Sequence, residues 1–133
     1  MNAKILIPIL IILMLSGCAY KPGLGSYGDA ATTAIALSSD SFVEANPIIP
    51  SSDPIVAAVV TIGLKQGVKY IISPQYDDEV DSAVEAVGMV ATGWNATLLL
   101  GGAYAIAAPV GILAGIVYWK YRESKRTEAK END

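Results

Sequence analysis

Residues Ala86–Trp119 read AVGMVATGWNATLLLGGAYAIAAPVGILAGIVYW, thirty-four positions without an acidic or basic side chain. As one helix this stretch would be about 51 Å long, against a hydrocarbon core of about 30 Å. One perpendicular pass does not contain it. Gly101-Gly102 falls near its middle, with Pro109 beyond. The pattern predicts two antiparallel helices, Val80–Leu100 and Ala103–Arg122, joined by a tight turn. A single span over Leu98–Trp119, preceded by a helix in water, is the alternative. The charged tail from Lys120 to Asp133 is expected to stay helical for a turn or two and then fray.

Working back from this stretch, Ile55–Ile72 is a second apolar segment, closed by Ser73-Pro74 and carrying Lys65, Gln66 and Lys69. Ser52-Asp53-Pro54 starts it well, a capping residue followed by Pro at the first helical position. The two lysines are four apart, hence on one face, where they are expected to snorkel towards a membrane surface. Asp77, Asp78, Glu79 and Asp81 fall in the first turn of the next helix, where the helix dipole favours negative charge. That reading outweighs a metal site. Asp29–Leu37 is a short helical stretch of small residues, and Ser38–Asp53 is a loop with Asn46-Pro47 and Pro50. The Gly- and Tyr-rich segment Ala19–Gly28 reads as a tether. The expected fold is all-α, a small helical membrane bundle.

Composition excludes much chemistry. The chain has 133 residues, enough for one domain. It has no His, which removes Ser-His-Asp and Cys-His catalysis and His-ligated metals. One Cys rules out a zinc ribbon, an internal disulfide and a CxxC pair. Nine basic residues against thirteen acidic ones argue against a nucleic-acid partner, since phosphate binding needs a basic footprint. The expectation is no enzyme, no metal and no cofactor beyond a covalent lipid.

That lipid comes from the N-terminus. Lys4 precedes an eleven-residue apolar run, Ile5–Leu15, too short to span but right for a signal-peptide h-region. Leu15-Ser16-Gly17-Cys18 follows and resembles the bacterial lipobox. The resemblance implies that Cys18 is lipidated and becomes the first mature residue. The organisation is then a signal peptide (1–17), a tether, short helix and loop (18–53), a helical membrane domain (54–122) and a charged cytoplasmic tail (123–133). Lys120, Arg122, Lys125 and Arg126 place the last helix end in the cytoplasm by the positive-inside rule, with Tyr118, Trp119 and Tyr121 as interfacial aromatics. A lipidated Cys18 lies outside the inner membrane, or in the outer membrane. Opposite-sided ends need one or three crossings, and three are favoured: Ile55–Ile72, Val80–Leu100 and Ala103–Trp119. Membrane lipid is the first expected partner. The expected role is a non-enzymatic lipoprotein of the cell envelope, structural or interacting. The alternative, from the same lipid anchor and terminal helix, is a protein similar to phage unimolecular spanins, which link outer and inner membranes at lysis.

Asp29-Ala-Ala-Thr-Thr33, with Phe42-Val-Glu44-Ala-Asn46-Pro47 after it, resembles an uncharacterised family of small prokaryotic membrane proteins. Lys65 and Asn95 match a basic residue and an Asn of that pattern, and the resemblance implies a compact helical membrane bundle. From the residues alone, Asp29 and Thr33 share a helix face at i, i+4. Charge near hydrocarbon is costly unless paired, so Asp29 or Glu44 should find Lys65 or Asn95. Asp29, Thr33, Glu44, Asn46, Lys65 and Asn95 thus form a candidate buried polar cluster. A helix cap at Asp29, a loop charge at Glu44 and a snorkelling Lys65 form the simpler alternative. Gly111-Ile-Leu-Ala-Gly115 is a GxxxG motif, extended by Ala103 and Ala107, that lets helix backbones approach closely. It suits packing on a Gly88–Gly93 face within the bundle, or a homo-oligomer through Gly111 and Gly115.

Overall fold

The computed structural model describes residues 20–39 and 53–132. They form four α-helices and, among the described residues, no strand: α1 (Leu24–Leu37), α2 (Pro54–Ile72), α3 (Asp78–Leu99) and α4 (Tyr104–Glu131). The all-α expectation holds. α3 is the central helix, packed between α1 and α4, and α1 also packs along α2.

Local chemistry sets the helix ends. The Asp53 carboxylate accepts from the backbone N–H of Ile55 and Val56 at 2.9 and 3.0 Å, and Pro54 follows at the first position of α2. Asp77 does the same for α3, accepting from Glu79 N at 2.8 Å and Val80 N at 3.3 Å. α3 stops where Gly101 takes a positive φ of 81°. The Gly101 N–H donates to the Leu98 carbonyl and the Gly102 N–H to that of Thr97, a Schellman ending that only a residue without a Cβ adopts freely. The two helices on either side of Gly101-Gly102 are those the sequence pattern predicts.

Two boundaries differ from expectation. α4 does not fray a turn or two beyond Lys120 but continues to Glu131. Lys120–Glu123 and Lys125–Glu128 pair at i, i+3, and Arg126 stacks 5.6 Å above the Trp119 ring, so the charged tail carries its own helical support. At the other end, Ala19–Gly28 is no tether from Tyr20 onwards. Tyr20 is buried, and α1 begins at Leu24, five residues earlier than expected. The glycines read as flexible are contact residues: a Cβ on Gly25 would overlap the Glu85 backbone, and one on Gly28 would stand 2.7 Å from Thr92 Oγ1.

Helices consecutive in the chain alternate in direction, and α1 runs parallel to α3: Ser26 lies by Glu85 and Gly28 by Thr92, while Lys69 lies by Asp81 and Arg122 by Asp78. Tyr20, the α2–α3 turn and Arg122 therefore stand at one end of the bundle.

The small-residue ridge of α4 is used inside the chain. A Cβ on Gly111 would stand 2.6 Å from the Val90 carbonyl oxygen, and one on Gly115 would meet Val90 and Ala86 of α3. Gly93 faces Gly111 as expected, whereas Gly88 turns the other way, onto Gly25 of α1. α3 thus presents small residues to two neighbours at once.

Candidate functional site

Among the described residues, the largest fully buried side chains are not aliphatic. They are Tyr20, Lys69, Gln66, Glu85, Ser26 and Ser82. Lys69 and Glu85 are each 0% exposed. Meanwhile Ile71 and Leu100 are 80% and 89% exposed, and Ile112, Leu113, Ile116 and Val117 of α4 also face outward. Among these large side chains, polar groups are inside and most branched aliphatics outside.

Two polar clusters occupy the interior. In the first, α1 supplies Asp29 and Thr33, α2 supplies Lys65 and α3 supplies Asn95. Lys65 Nζ is paired with Asp29 Oδ2. Asn95 Nδ2 lies 3.4 Å from Asp29 Oδ1, 3.3 Å from Thr32 Oγ1 and 3.4 Å from Thr33 Oγ1. Asp29 is in the second turn of α1, so it caps nothing, and Lys65 turns inward instead of snorkelling. Four of the six residues of the expected cluster, Asp29, Thr33, Lys65 and Asn95, are brought together. Glu44 and Asn46 lie outside the described residues, as does Cys18.

A double-mutant cycle tests this pair. Asp29→Asn and Lys65→Met should each destabilise the bundle, with a coupling of about 1 kcal/mol or more when combined. Strict additivity of the two losses in detergent unfolding would mean that the two groups do not interact.

The second cluster lies beyond what the sequence pattern predicts. Lys69 Nζ sits between two carboxylates, 2.5 Å from Glu85 Oε1 and 2.6 Å from Asp81 Oδ1. Glu85 also accepts from Ser26, at 2.6 Å from the hydroxyl and 2.8 Å from the backbone N–H, and Gln66 Nε2 reaches Ser26 Oγ at 3.4 Å. Asp81 passes the chain on to Arg122 at 3.1 Å. Arg122 pairs with Asp78 at 2.7 Å, and Arg126 meets the other Asp78 oxygen at 3.3 Å. Three cations face three carboxylates. The acidic first turn of α3 is thus more than a dipole complement: Asp78 and Asp81 are bound to basic residues of other helices. Among the described residues there is no group of His, Cys, Asp and Glu arranged to hold a metal.

The network ends in a tyrosine latch. The Tyr20 hydroxyl donates to the Gln75 carbonyl at 2.9 Å and accepts from the Asp77 N–H at 3.0 Å. Its ring packs against Tyr76 with centroids 5.3 Å apart. Tyr76 donates to Asp78 at 3.0 Å. Burial, that hydrogen bond and the charges of Asp81 and Asp78 push the Tyr76 phenol above its ordinary value.

Each buried charge has a geometric reason to stay charged. An unpaired ion in a low-dielectric interior is costly, whereas a paired and hydrogen-bonded one is tolerated. The pairs run between helices, from α1 to α2 and α3 and from α3 to α2 and α4, and so hold the bundle together. Compared with protein families, curated proteins and solved structures, the chain matches none. α2 and α4 are long and apolar enough to cross a membrane.

Proposed function

We propose that the protein is a non-enzymatic integral membrane lipoprotein of the bacterial cell envelope, with a structural or interaction role. The observation that carries this reading is the inverted distribution of side chains. Lys69, Glu85, Gln66 and Ser26 fill the interior while Ile, Leu and Val cover α2 and α4. In water such an arrangement forfeits the main driving force of folding, since the aliphatic side chains stay hydrated. In a bilayer it is favourable on both counts: lipid solvates the aliphatic faces and the ionic groups satisfy one another inside.

The lipobox at Leu15–Cys18 supports the lipid anchor, and the Asp29, Thr33, Lys65 and Asn95 cluster supports the kinship to small prokaryotic membrane proteins. The spanin alternative requires the residues between Cys18 and α4 to be an extended periplasmic linker. Packing of α1, α2 and α3 against one another and of α3 against α4 favours a bundle in one membrane instead. Homo-oligomerisation through Gly111 and Gly115 loses its support too, as that ridge is covered by α3.

Membrane fractionation tests the proposal. The wild-type chain should take up a palmitate analogue and stay in the membrane pellet at alkaline pH. Cys18→Ser should lose the label yet still pellet, held by its helices. Release of Cys18→Ser into the soluble fraction would show that the helices do not cross. Undiminished labelling of that variant would disprove lipidation at Cys18.

A further inference from the structure

One short turn binds both ends of the described chain. Tyr20 is hydrogen-bonded to the backbone of Gln75 and Asp77. Asp78, the next residue, pairs with Arg122. If α2 and α4 cross a membrane, the α2–α3 turn lies at one of its faces, and Tyr20 and Arg122 lie there with it. Resting on the proposed lipoprotein, we infer that both ends of the described chain, which meet at one end of the bundle, emerge on the outer side of the inner membrane. The charged extension of α4 is then a periplasmic surface and not a cytoplasmic tail.

Two orientation signals compete in this chain. Cys18 lies outside the described residues, but two residues of chain reach at most about 7 Å from Tyr20. Attachment of lipid on the outer side therefore draws the Tyr20 latch, and with it Arg122, to that side. The positive-inside rule pulls the other way, since Lys120, Arg122, Lys125, Arg126 and Lys130 all follow the last apolar run, while loop residues 38–53 and 100–103 contain no Lys or Arg. The lipid is a covalent constraint, whereas the charge bias is a graded one. Four of the five basic groups are also held by carboxylates: Arg122 and Arg126 by Asp78, Lys120 by Glu123, Lys125 by Glu128. Satisfying both signals would require pulling Asp78 and Arg122 to opposite faces, which breaks the network. An even number of passes follows, with α1 first taking the chain across the bundle and α2 bringing it back, even though the 14 residues of α1 span only about 21 Å.

Cysteine accessibility in the full chain decides the matter. Ser124→Cys and Leu100→Cys place thiols at exposed positions at the two ends of the bundle. Lipidated Cys18 is a thioether and gives no background. In intact cells a membrane-impermeant maleimide should label Ser124→Cys at least ten-fold more than Leu100→Cys, with the two equal after permeabilisation. Protection of Ser124→Cys in a protein that carries the palmitate label overturns the inference and leaves the lipoprotein reading intact. Protection of Ser124→Cys together with loss of the palmitate label overturns both. Equal labelling of the two thiols in intact cells also overturns the inference, since the two ends of the bundle would then share one side.

Discussion

Lys69→Met is expected to destabilise the bundle by about 3–5 kcal/mol, the largest loss of any single charge removal in this chain. Lys69 is 0% exposed and lies between Glu85 and Asp81. Its removal leaves Asp81 with Arg122 but strands Glu85, whose other donors are the hydroxyl and N–H of Ser26. A buried carboxylate without a cation either keeps an uncompensated charge or takes up a proton, and both weaken the fold. The double variant Lys69→Met with Glu85→Gln should recover most of the loss. It leaves Arg122 and Arg126 facing Asp78 and Asp81, so charge is again balanced. The measurement is reversible unfolding of the purified protein in mild detergent titrated with a denaturing one. A Lys69→Met midpoint equal to wild type would mean that the ion pairs contribute nothing to cohesion.

The same network shows why part of this protein is legible in its sequence and part is not. Helix α4 and its turn from α3 follow from thirty-four uncharged residues interrupted by Gly101-Gly102, a signal local in sequence. The capped starts of α2 and α3 are local as well, since Asp53 and Asp77 act on N–H groups two and three residues away. Asp29, Lys65 and Asn95 group together because polar groups on apolar helices need partners, although Lys65 and Asn95 lie 36 and 66 residues from Asp29. Lys69 and Glu85 need partners for the same reason, but Asp78 and Asp81 have a sufficient local explanation at the helix N-terminus, and Lys69 one as a snorkelling side chain. A residue with an adequate local role hides its tertiary one. Glycines mislead in the same way: Gly23, Gly25 and Gly28 read as tether until α3 is known to run beside them, because absence of a Cβ serves flexibility and close contact alike.

Gly25→Val should separate α1 from α3 and cost about 3 kcal/mol or more. The atom that a Cβ would strike is the backbone carbonyl of Glu85, and Gly88 of α3 presses back, its own Cβ position lying 2.5 Å from Gly25. Neither obstacle is a side chain that can rotate aside, so the helices themselves must move, and overpacking of that kind is poorly relieved. The displacement also withdraws the Ser26 N–H and hydroxyl from Glu85 and pulls Asp29 from Lys65, so one added side chain weakens both polar clusters. Gly88→Val should produce a similar loss, and the double variant should lose less than the two single variants added together, because both act on one contact. Gly67→Ala is the matching control. It lies within α2 with nothing inside 4 Å of its Cβ position, so it should raise stability by about 0.5–1 kcal/mol through helix propensity alone. If Gly25→Val unfolds at the wild-type midpoint while Gly67→Ala shifts as expected, the close approach of α1 to α3 is not part of the folded protein.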